Sequence, residues 1–158
     1  LVTTSDKLYV HRESIDVRAM LRQIAESFPQ ADITLSIEDG IEMVYADKLH
    51  YSNAVKNLVD NAVKYSLDDK RVEIRCYRND DILCVSVRDW GVGIPRMSRS
   101  LIYSRYVRLD NHKRDVKGFG LGLSYVHLVA QSFGGAIAME ECGGVGSKFV
   151  LKIPYDND

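Results

Sequence analysis

The hydrophobic positions of this 158-residue chain recur with two different periods, which divide it into predicted helices and strands. Apolar side chains that return every three or four residues are typical of amphipathic helices, and they occur at residues 16–28, 47–66 and 120–133. Alternation of apolar and polar residues is typical of strands, and it occurs at residues 33–37 and 72–76. Short, mostly apolar runs at residues 43–45, 82–87, 137–139 and 149–153 are also predicted to be strands. The pattern is weak before residue 16, where we predict a linker that ends in an edge strand.

Turn and capping residues separate these elements. Asp16 is the predicted N-cap of the first helix, which ends near Pro29, and Gly134 with Gly135 ends the third helix. Turns between consecutive strands are predicted at residues 39–40, 79–81 and 142–146. The second helix carries a wide apolar stripe that begins at Leu49 and is expected to be buried. This mixture of helices and hairpins predicts an α+β two-layer sandwich, in which three helices cover one face of a mixed, mostly antiparallel sheet.

The composition fits one domain, which we place at residues 16–158 after a linker at residues 1–15. The chain has 46% hydrophobic and 27% charged residues and a formal net charge of −1, so it lacks the basic excess of a nucleic-acid or membrane-surface domain. Three cysteines without a CxxC pair indicate neither a disulfide framework nor a zinc site, and they fit a reducing, cytoplasmic compartment. The chain starts at Leu1 without a signal peptide, and we expect it to be a piece of a longer protein.

Polar side chains form a second stripe on the predicted second helix. Asn53, Asn57, Asn61 and Lys64 are spaced four, four and three residues apart, so they lie on one helix face. A solvated surface is the simplest explanation, but asparagine costs a helix interior more than about half a kcal/mol relative to alanine. An amide oxygen is a hard ligand that suits Mg²⁺, and a lysine one turn later can face phosphate oxygens. The stripe therefore indicates a site for a metal-bound phosphate.

Two glycine-rich segments follow this stripe along the chain. DWGVGIP begins at Asp89, at the end of a strand; its glycines suit a tight turn, but the carboxylate there can also accept a hydrogen bond from the amine of adenine. GFGLGLS begins at Gly118 and opens the third helix, whose free backbone N–H groups favour an anion. The chain has no Walker loop, and these glycines lack the third glycine of a dinucleotide fingerprint, so both of those nucleotide-binding classes are excluded.

A basic segment lies between the two glycine clusters. Residues 96–117 contain seven lysines and arginines but only two aspartates. Such a run is usually solvated surface. At this place it is better explained as a mobile loop that covers a polyphosphate, because arginine binds phosphate well and such sites move on loops.

Together these motifs resemble the catalytic ATP-binding domain of bacterial sensor histidine kinases, in the GHKL superfamily, from about Asp16 to Pro154. NLVDNAVKYS from Asn57 resembles the N box, DWGVGIP and GFGLGLS the two glycine boxes, and GVGSKF the final glycine element. Tyr103 and Tyr106 stand where the family often has phenylalanines. The resemblance implies the two-layer sandwich known as the Bergerat fold, with ATP and Mg²⁺ as cofactors.

The resemblance also implies a role for each residue of these motifs. Catalytic roles in phosphoryl transfer fall to Asn57, Lys64 and Arg108, and Asn61 with Asn57 would hold Mg²⁺. Asp89 would bind the adenine amine. The implied nucleotide-binding residues, which contact adenine or surround the phosphates, are Asn57, Asn61, Lys64, Tyr65, Asp89, Gly91, Gly93, Ile94, Tyr106, Gly118, Phe119, Gly120, Leu121, Gly122, Leu123 and Ser147.

Position 57 helps to choose between activities within the superfamily. Members that hydrolyse ATP, such as gyrase and the large heat-shock chaperones, carry a glutamate as general base where Asn57 stands. An amide cannot take a proton from water near neutral pH, so transfer to a protein acceptor is favoured over hydrolysis. A phosphoacceptor histidine is normally followed by an acidic residue and, shortly after, by a proline. None of the four histidines of the chain has this context; they are His11, His50, His112 and His127. We therefore predict that the chain binds ATP and Mg²⁺ without phosphorylating itself.

The partners implied by the resemblance are the protein's own dimerisation and histidine-phosphotransfer domain and, indirectly, a response-regulator receiver domain. The parent protein is expected to be a homodimer, and the inner membrane is one place where it could be anchored. For this domain itself we expect neither nucleic-acid binding nor direct membrane contact. Two other interpretations stay open. One is a nucleotide-sensing scaffold without transfer activity, and the other is an interaction domain whose glycine clusters are only turns.

Overall fold

A computed structural model describes residues 8–66, 69–91, 117–142 and 144–155 of the chain. Its elements, in chain order, are β1 (Glu13–Asp16), α1 (Val17–Glu26), β2 (Asp32–Ile37), β3 (Met43–Ala46), α2 (Lys48–Lys64), β4 (Arg71–Asn79), β5 (Ile82–Asp89), α3 (Lys117–Ser132), β6 (Ala136–Glu140) and β7 (Ser147–Pro154).

The main sheet has five strands in the order β2-β4-β5-β7-β6. β2 runs parallel to β4, and the other neighbours are antiparallel. The apolar residues of the three helices pack with one face of this sheet in a single hydrophobic core. The predicted α+β fold, with its mixed and mostly antiparallel sheet and three helices, is confirmed.

The helix boundaries follow from local sequence. The Asp16 carboxylate accepts a hydrogen bond from the Ala19 backbone N–H at 3.0 Å, which caps α1 as predicted. The Asp47 carboxylate caps α2 through the His50 backbone N–H, also at 3.0 Å. Gly134 follows α3 with a φ of +80°, a conformation that glycine adopts without steric cost. α3 begins three residues earlier than predicted, at Lys117.

The strands β2 and β3 were predicted as two strands joined by a turn, but they belong to different sheets. β2 pairs with β4, whereas β3 pairs with β1 in a separate two-stranded sheet. The Arg18 guanidinium donates hydrogen bonds to the carbonyl groups of Ile41 and Glu38, at 2.7 and 3.0 Å. These bonds hold the connection between β2 and β3 against α1.

Leu49 was predicted to begin the buried stripe of α2, but 63% of its surface is exposed. An α-helix turns by about 100° per residue, which places Leu49 on the side opposite Leu58, nine residues later. Tyr51 is fully buried and fills the first core position of the helix. The stripe was therefore assigned correctly except in its first turn.

We expect Tyr51→Phe to raise the free energy of unfolding by about 1 kcal/mol. The Tyr51 hydroxyl is buried without a hydrogen-bond partner in the described part of the chain, and its ring packs 6.2 Å from that of Phe133. The substitution removes the buried polar atom and keeps the ring. Urea unfolding measures the effect.

Tyr125→Phe is the matched control, because it deletes a hydroxyl that lies 2.7 Å from Nδ1 of His50. Its free energy of unfolding should fall instead of rising. A destabilised Tyr51→Phe variant would show that the Tyr51 hydroxyl has a partner.

Candidate functional site

The asparagine stripe of α2 lies beside the start of α3. The Asn57 side-chain nitrogen donates a hydrogen bond to the Asn53 carbonyl at 3.0 Å, so the Asn57 amide oxygen is left to accept from or coordinate another group. Asn61 is only 9% exposed, and its side-chain nitrogen has no hydrogen-bond partner among the described residues. A buried polar atom without a partner is costly. Both amides therefore have binding capacity that the described chain does not use.

Gly122 of α3 faces these two amides. A Cβ atom at position 122 would lie 3.7 Å from Oδ1 of Asn57 and 3.9 Å from Nδ2 of Asn61. The backbone of α3 therefore runs close to the asparagine side chains. The first turn of α3, which includes Gly118, offers free backbone N–H groups at the positive end of the helix dipole.

Asp89 forms a second polar centre at the end of β5. It is 7% exposed, and its carboxylate accepts hydrogen bonds from the backbone N–H groups of Gly91, at 2.9 Å, and Ser147. Burial raises the pKa of the Asp89 carboxyl above its usual value, although these two hydrogen bonds and the nearby Arg88 oppose the shift. A carboxylate has more acceptor sites than two donors occupy, so it can still accept a hydrogen bond from a ligand.

The backbone around Asp89 is packed without space for extra atoms. A Cβ atom at Gly91 would overlap the carbonyl group of Tyr65, and one at Gly146 would overlap the Asp89 carbonyl. Ser147 pairs with Asp89 across β5 and β7 and is 5% exposed. The glycines therefore bring the end of α2, the end of β5 and the start of β7 together around one carboxylate.

Residues 46–157 match the family described as HATPase_c, the histidine kinase-, DNA gyrase B- and HSP90-like ATPases. The chain belongs to this family. It is similar to sensor protein RprX of Bacteroides fragilis, with 35% identity over 125 residues that make up 77% of this chain and 24% of RprX.

Solved structures show the same HATPase_c fold. The crystal structure of full-length ShkA in complex with AMPPNP superimposes with a TM-score of 0.83 and 25% identity, over 96% of this chain and 32% of that protein. The catalytic domain of histidine kinase ThkA superimposes with a TM-score of 0.80 and 23% identity, over 92% of this chain and 98% of that chain. The chain thus spans about a quarter of the curated relative RprX but nearly all of an isolated catalytic domain.

Three other implied site residues of this HATPase_c domain already have partners in the protein, either in an ion pair or in the core. Lys64 is exposed and forms an ion pair with Asp60 at 3.1 Å, one turn earlier on α2. Leu123 is fully buried in the core, so only its backbone can face a ligand. Tyr65, half-buried at the end of α2, packs against the core.

Other implied site residues lie wholly or partly outside the described part of the chain. Those outside the described residues are Gly93, Ile94, Tyr106 and Arg108. The basic segment that we expected to cover a polyphosphate also lies there, apart from Lys117. Phe119 and Leu121 belong to α3, but their side chains are outside the described part.

Three side-chain contacts near the site were not predicted. His50 and Tyr125, from α2 and α3, approach within hydrogen-bond distance. The Trp90 ring, directly after Asp89, lies 4.3 Å from the Arg71 guanidinium and 4.2 Å from that of Arg88, which is cation–π geometry. No local pattern identifies the first two pairs, because each joins residues far apart in the sequence. Arg88 and Trp90 are two residues apart in an extended segment, a spacing that places both side chains on one face.

Within residues 8–66, 69–91, 117–142 and 144–155, no group of three or more histidine, cysteine, aspartate or glutamate side chains could hold a metal ion. Cys76, Cys84 and Cys142 are unpaired thiols. Burial raises the pKa of the Cys76 thiol to about 12, which makes it a poor ligand near neutral pH. None of the described helices is long and apolar enough to span a membrane.

Proposed function

We propose that this chain is the ATP-binding catalytic domain of a sensor histidine kinase, which positions Mg·ATP for transfer of its γ-phosphoryl group to a histidine on a separate domain. The observation that carries the proposal is the juxtaposition of Asn57 and Asn61 with the glycine-rich start of α3, in a domain whose buried Asp89 can bind adenine. Membership of the HATPase_c family and the likeness to sensor protein RprX support it.

Adenine is the expected partner of Asp89. Its exocyclic amine is a donor from which a buried, partly satisfied carboxylate can accept a hydrogen bond. Gly91 and Gly146 allow the backbone to pack closely enough to hold that carboxylate in place. Following the family resemblance, Tyr65 packs on the base and Ser147 acts through water. Gly93 and Ile94 complete this pocket.

The triphosphate is expected to bind at the start of α3. The free backbone N–H groups of the first turn of α3, at Gly118 and its neighbours, and the helix dipole stabilise an anion there. Within the proposal Phe119, Leu121 and Leu123 belong to the same segment. Lys64, Tyr106 and Arg108 supply further contacts to the phosphates.

The donor set fits Mg²⁺. Asn57 offers its amide oxygen because its nitrogen is hydrogen-bonded to the Asn53 carbonyl. The unpartnered atom of Asn61 is its side-chain nitrogen, which can donate to a phosphate oxygen while its amide oxygen coordinates the ion. Mg²⁺ prefers oxygen ligands and is often held by one or two protein groups together with phosphate oxygens. When bound, the ion neutralises phosphate charge and orients the terminal phosphoryl group.

Transfer is favoured over hydrolysis because position 57 carries an amide. Asn57 has no basic atom that could deprotonate a water molecule. None of the four histidines of the chain has the sequence context of a phosphoacceptor, so the acceptor is a histidine on the dimerisation and phosphotransfer domain. The phosphoryl group then passes to a receiver domain, and the parent acts as a homodimer.

Titration of the chain with AMPPNP, with and without Mg²⁺, tests the proposal. Binding at micromolar to submillimolar concentration, strengthened by Mg²⁺, is expected. No binding at millimolar AMPPNP would exclude the proposal and leave an interaction domain as the explanation.

In a second assay, labelled ATP and a helical hairpin that carries an acceptor histidine are both added to the chain. An acid-labile phosphohistidine on the hairpin supports a kinase, and its absence despite AMPPNP binding supports a scaffold.

We expect Asn61→Ala to reduce the affinity for Mg·AMPPNP by about tenfold, a typical loss when a metal site is impaired. The affinity measured in EDTA should change by less than about twofold, because the adenine contacts remain. Asn79→Ala is the control, since Asn79 is an exposed residue at the far end of β4. Equal losses with and without Mg²⁺ would contradict a metal-binding role for Asn61.

A further inference from the structure

Three side chains connect α2 to α3 next to the asparagine site. The Tyr125 hydroxyl lies 2.7 Å from Nδ1 of His50, and the Asn53 side chain makes a second hydrogen bond to Tyr125. If the Asn53 amide nitrogen donates to the phenol oxygen, the phenol proton can donate to Nδ1 of His50. In this arrangement Nδ1 of His50 is the acceptor of the hydrogen bond from the Tyr125 hydroxyl.

The same network is attached to the groups that would hold the metal and the phosphates. Asn53 bonds Tyr125 through its side chain and Asn57 through its backbone carbonyl. Gly122 lies three residues before Tyr125 and therefore on the same face of α3, where it faces the Asn57 amide oxygen. All three network side chains line, with Asn57, a groove of about 610 Å³.

We infer that Tyr125 is a positioning residue, which acts with His50 and Asn53 to set the separation between the start of α3 and the amides of Asn57 and Asn61. Tyr125 does not need to touch the nucleotide. Its hydroxyl fixes the rotation and distance of α3 relative to α2, and these decide whether the glycine N–H groups and the amide oxygens reach the same phosphate. This inference rests on the proposed function.

The geometry favours a polar connection in addition to apolar packing. The rings of His50 and Tyr125 are 6.0 Å apart and tilted by 53°, so they are not stacked. Burial raises the pKa of the Tyr125 hydroxyl, which therefore stays protonated and can donate. A hydrogen bond requires a defined distance between its donor and acceptor, so these bonds restrict the position of α3 relative to α2. Apolar contacts alone would tolerate a small shift of one helix along the other.

Tyr125→Phe tests the inference, because it keeps the ring and removes the hydroxyl. We expect the affinity for Mg·AMPPNP to fall about three- to tenfold, the range for one lost hydrogen bond. The affinity in EDTA should stay within about twofold of the unsubstituted chain, since Asp89 and the adenine pocket are elsewhere. A merely structural hydroxyl would lower the thermal midpoint and leave the gain from Mg²⁺ unchanged.

Position 50 provides the rescue experiment. His50→Asn places an amide oxygen close to the position of Nδ1 and can still accept from Tyr125, whereas His50→Leu cannot. The gain in affinity from Mg²⁺ should therefore be largely retained in His50→Asn and reduced in His50→Leu. Tyr77→Phe is the control, because the Tyr77 hydroxyl is hydrogen-bonded to Cys84 on β5, away from the asparagines.

The outcomes separate the two proposals. If the unsubstituted chain binds no AMPPNP, both the proposed function and this inference fail. If it binds with a gain from Mg²⁺ that Tyr125→Phe and His50→Leu retain in full, the function stands and the positioning role is excluded. Should Tyr125→Phe be unfolded, the two His50 variants decide the matter, and equal behaviour of Asn and Leu at that position would overturn the inference.

Discussion

Asp89→Asn should reduce the affinity of the chain for AMPPNP by about a hundredfold, as expected for loss of a hydrogen bond to a charged group in a buried site. The carboxylate receives the N–H groups of Gly91 and Ser147 and still has acceptor capacity for adenine. An amide has one acceptor oxygen. Its NH₂ group must face either a backbone N–H or the adenine amine, and both pairings bring two donors together. Isothermal titration calorimetry measures the loss.

The control for this experiment is Asp81→Asn, in the exposed turn between β4 and β5. It removes the same charge at a distance from the site and should leave the affinity unchanged. Thermal unfolding of both variants without nucleotide separates a folding defect from a binding defect, because the Asp89 hydrogen bonds also hold the backbone. Full affinity in a folded Asp89→Asn protein would show that this carboxylate does not bind the base.

Gly91→Ala should lower the free energy of unfolding by about 3 kcal/mol, at the upper end of the usual cost of overpacking. A methyl group at position 91 would overlap the Tyr65 carbonyl and crowd the Cα atom of Ser66. Both are backbone atoms, which cannot move aside by rotating a side chain. The connection after α2 must shift, and the loss is measured by urea unfolding.

Gly144→Ala is the matched control, since a Cβ atom at that glycine would meet nothing within 4 Å. Its stability should change by less than about 0.5 kcal/mol. Equal stability of the two variants would mean that the end of β5 does not pack against the end of α2 as described. A stable Gly91→Ala protein that still binds AMPPNP would also remove the reason for a glycine at this position.

Local sequence was sufficient for the helices and for the existence of the strands. Asp16 and Asp47 cap α1 and α2 through bonds to residues three positions later, so a short stretch of sequence contains both the donor and the acceptor. The partners of β2 and β3 could not be predicted in this way. Alternation defines which face of a strand is apolar, but it contains no information on the neighbouring strand.

The motifs of the site could be predicted from the sequence for a related reason. The asparagines share one helix face, and the glycines open a helix, so each motif is a local arrangement with local chemistry. Leu49 shows the limit of this reasoning, because an apolar residue on the far side of α2 looks the same in the sequence as one in the core. The sequence pattern also did not predict that the Tyr51 hydroxyl is buried.

The chain sequence alone established an ATP-site-like set of motifs and the α+β class, because periodicity, capping and helix-face spacing are short-range properties of the backbone. Only the packing of α2, α3 and β5 decided which motif atoms meet. It placed Gly122 against the asparagine amides, surrounded Asp89 with the N–H groups of Gly91 and Ser147, and joined His50 to Tyr125 across 75 residues of sequence. These contacts depend on distances between separate elements, which the buried core sets and no local pattern records.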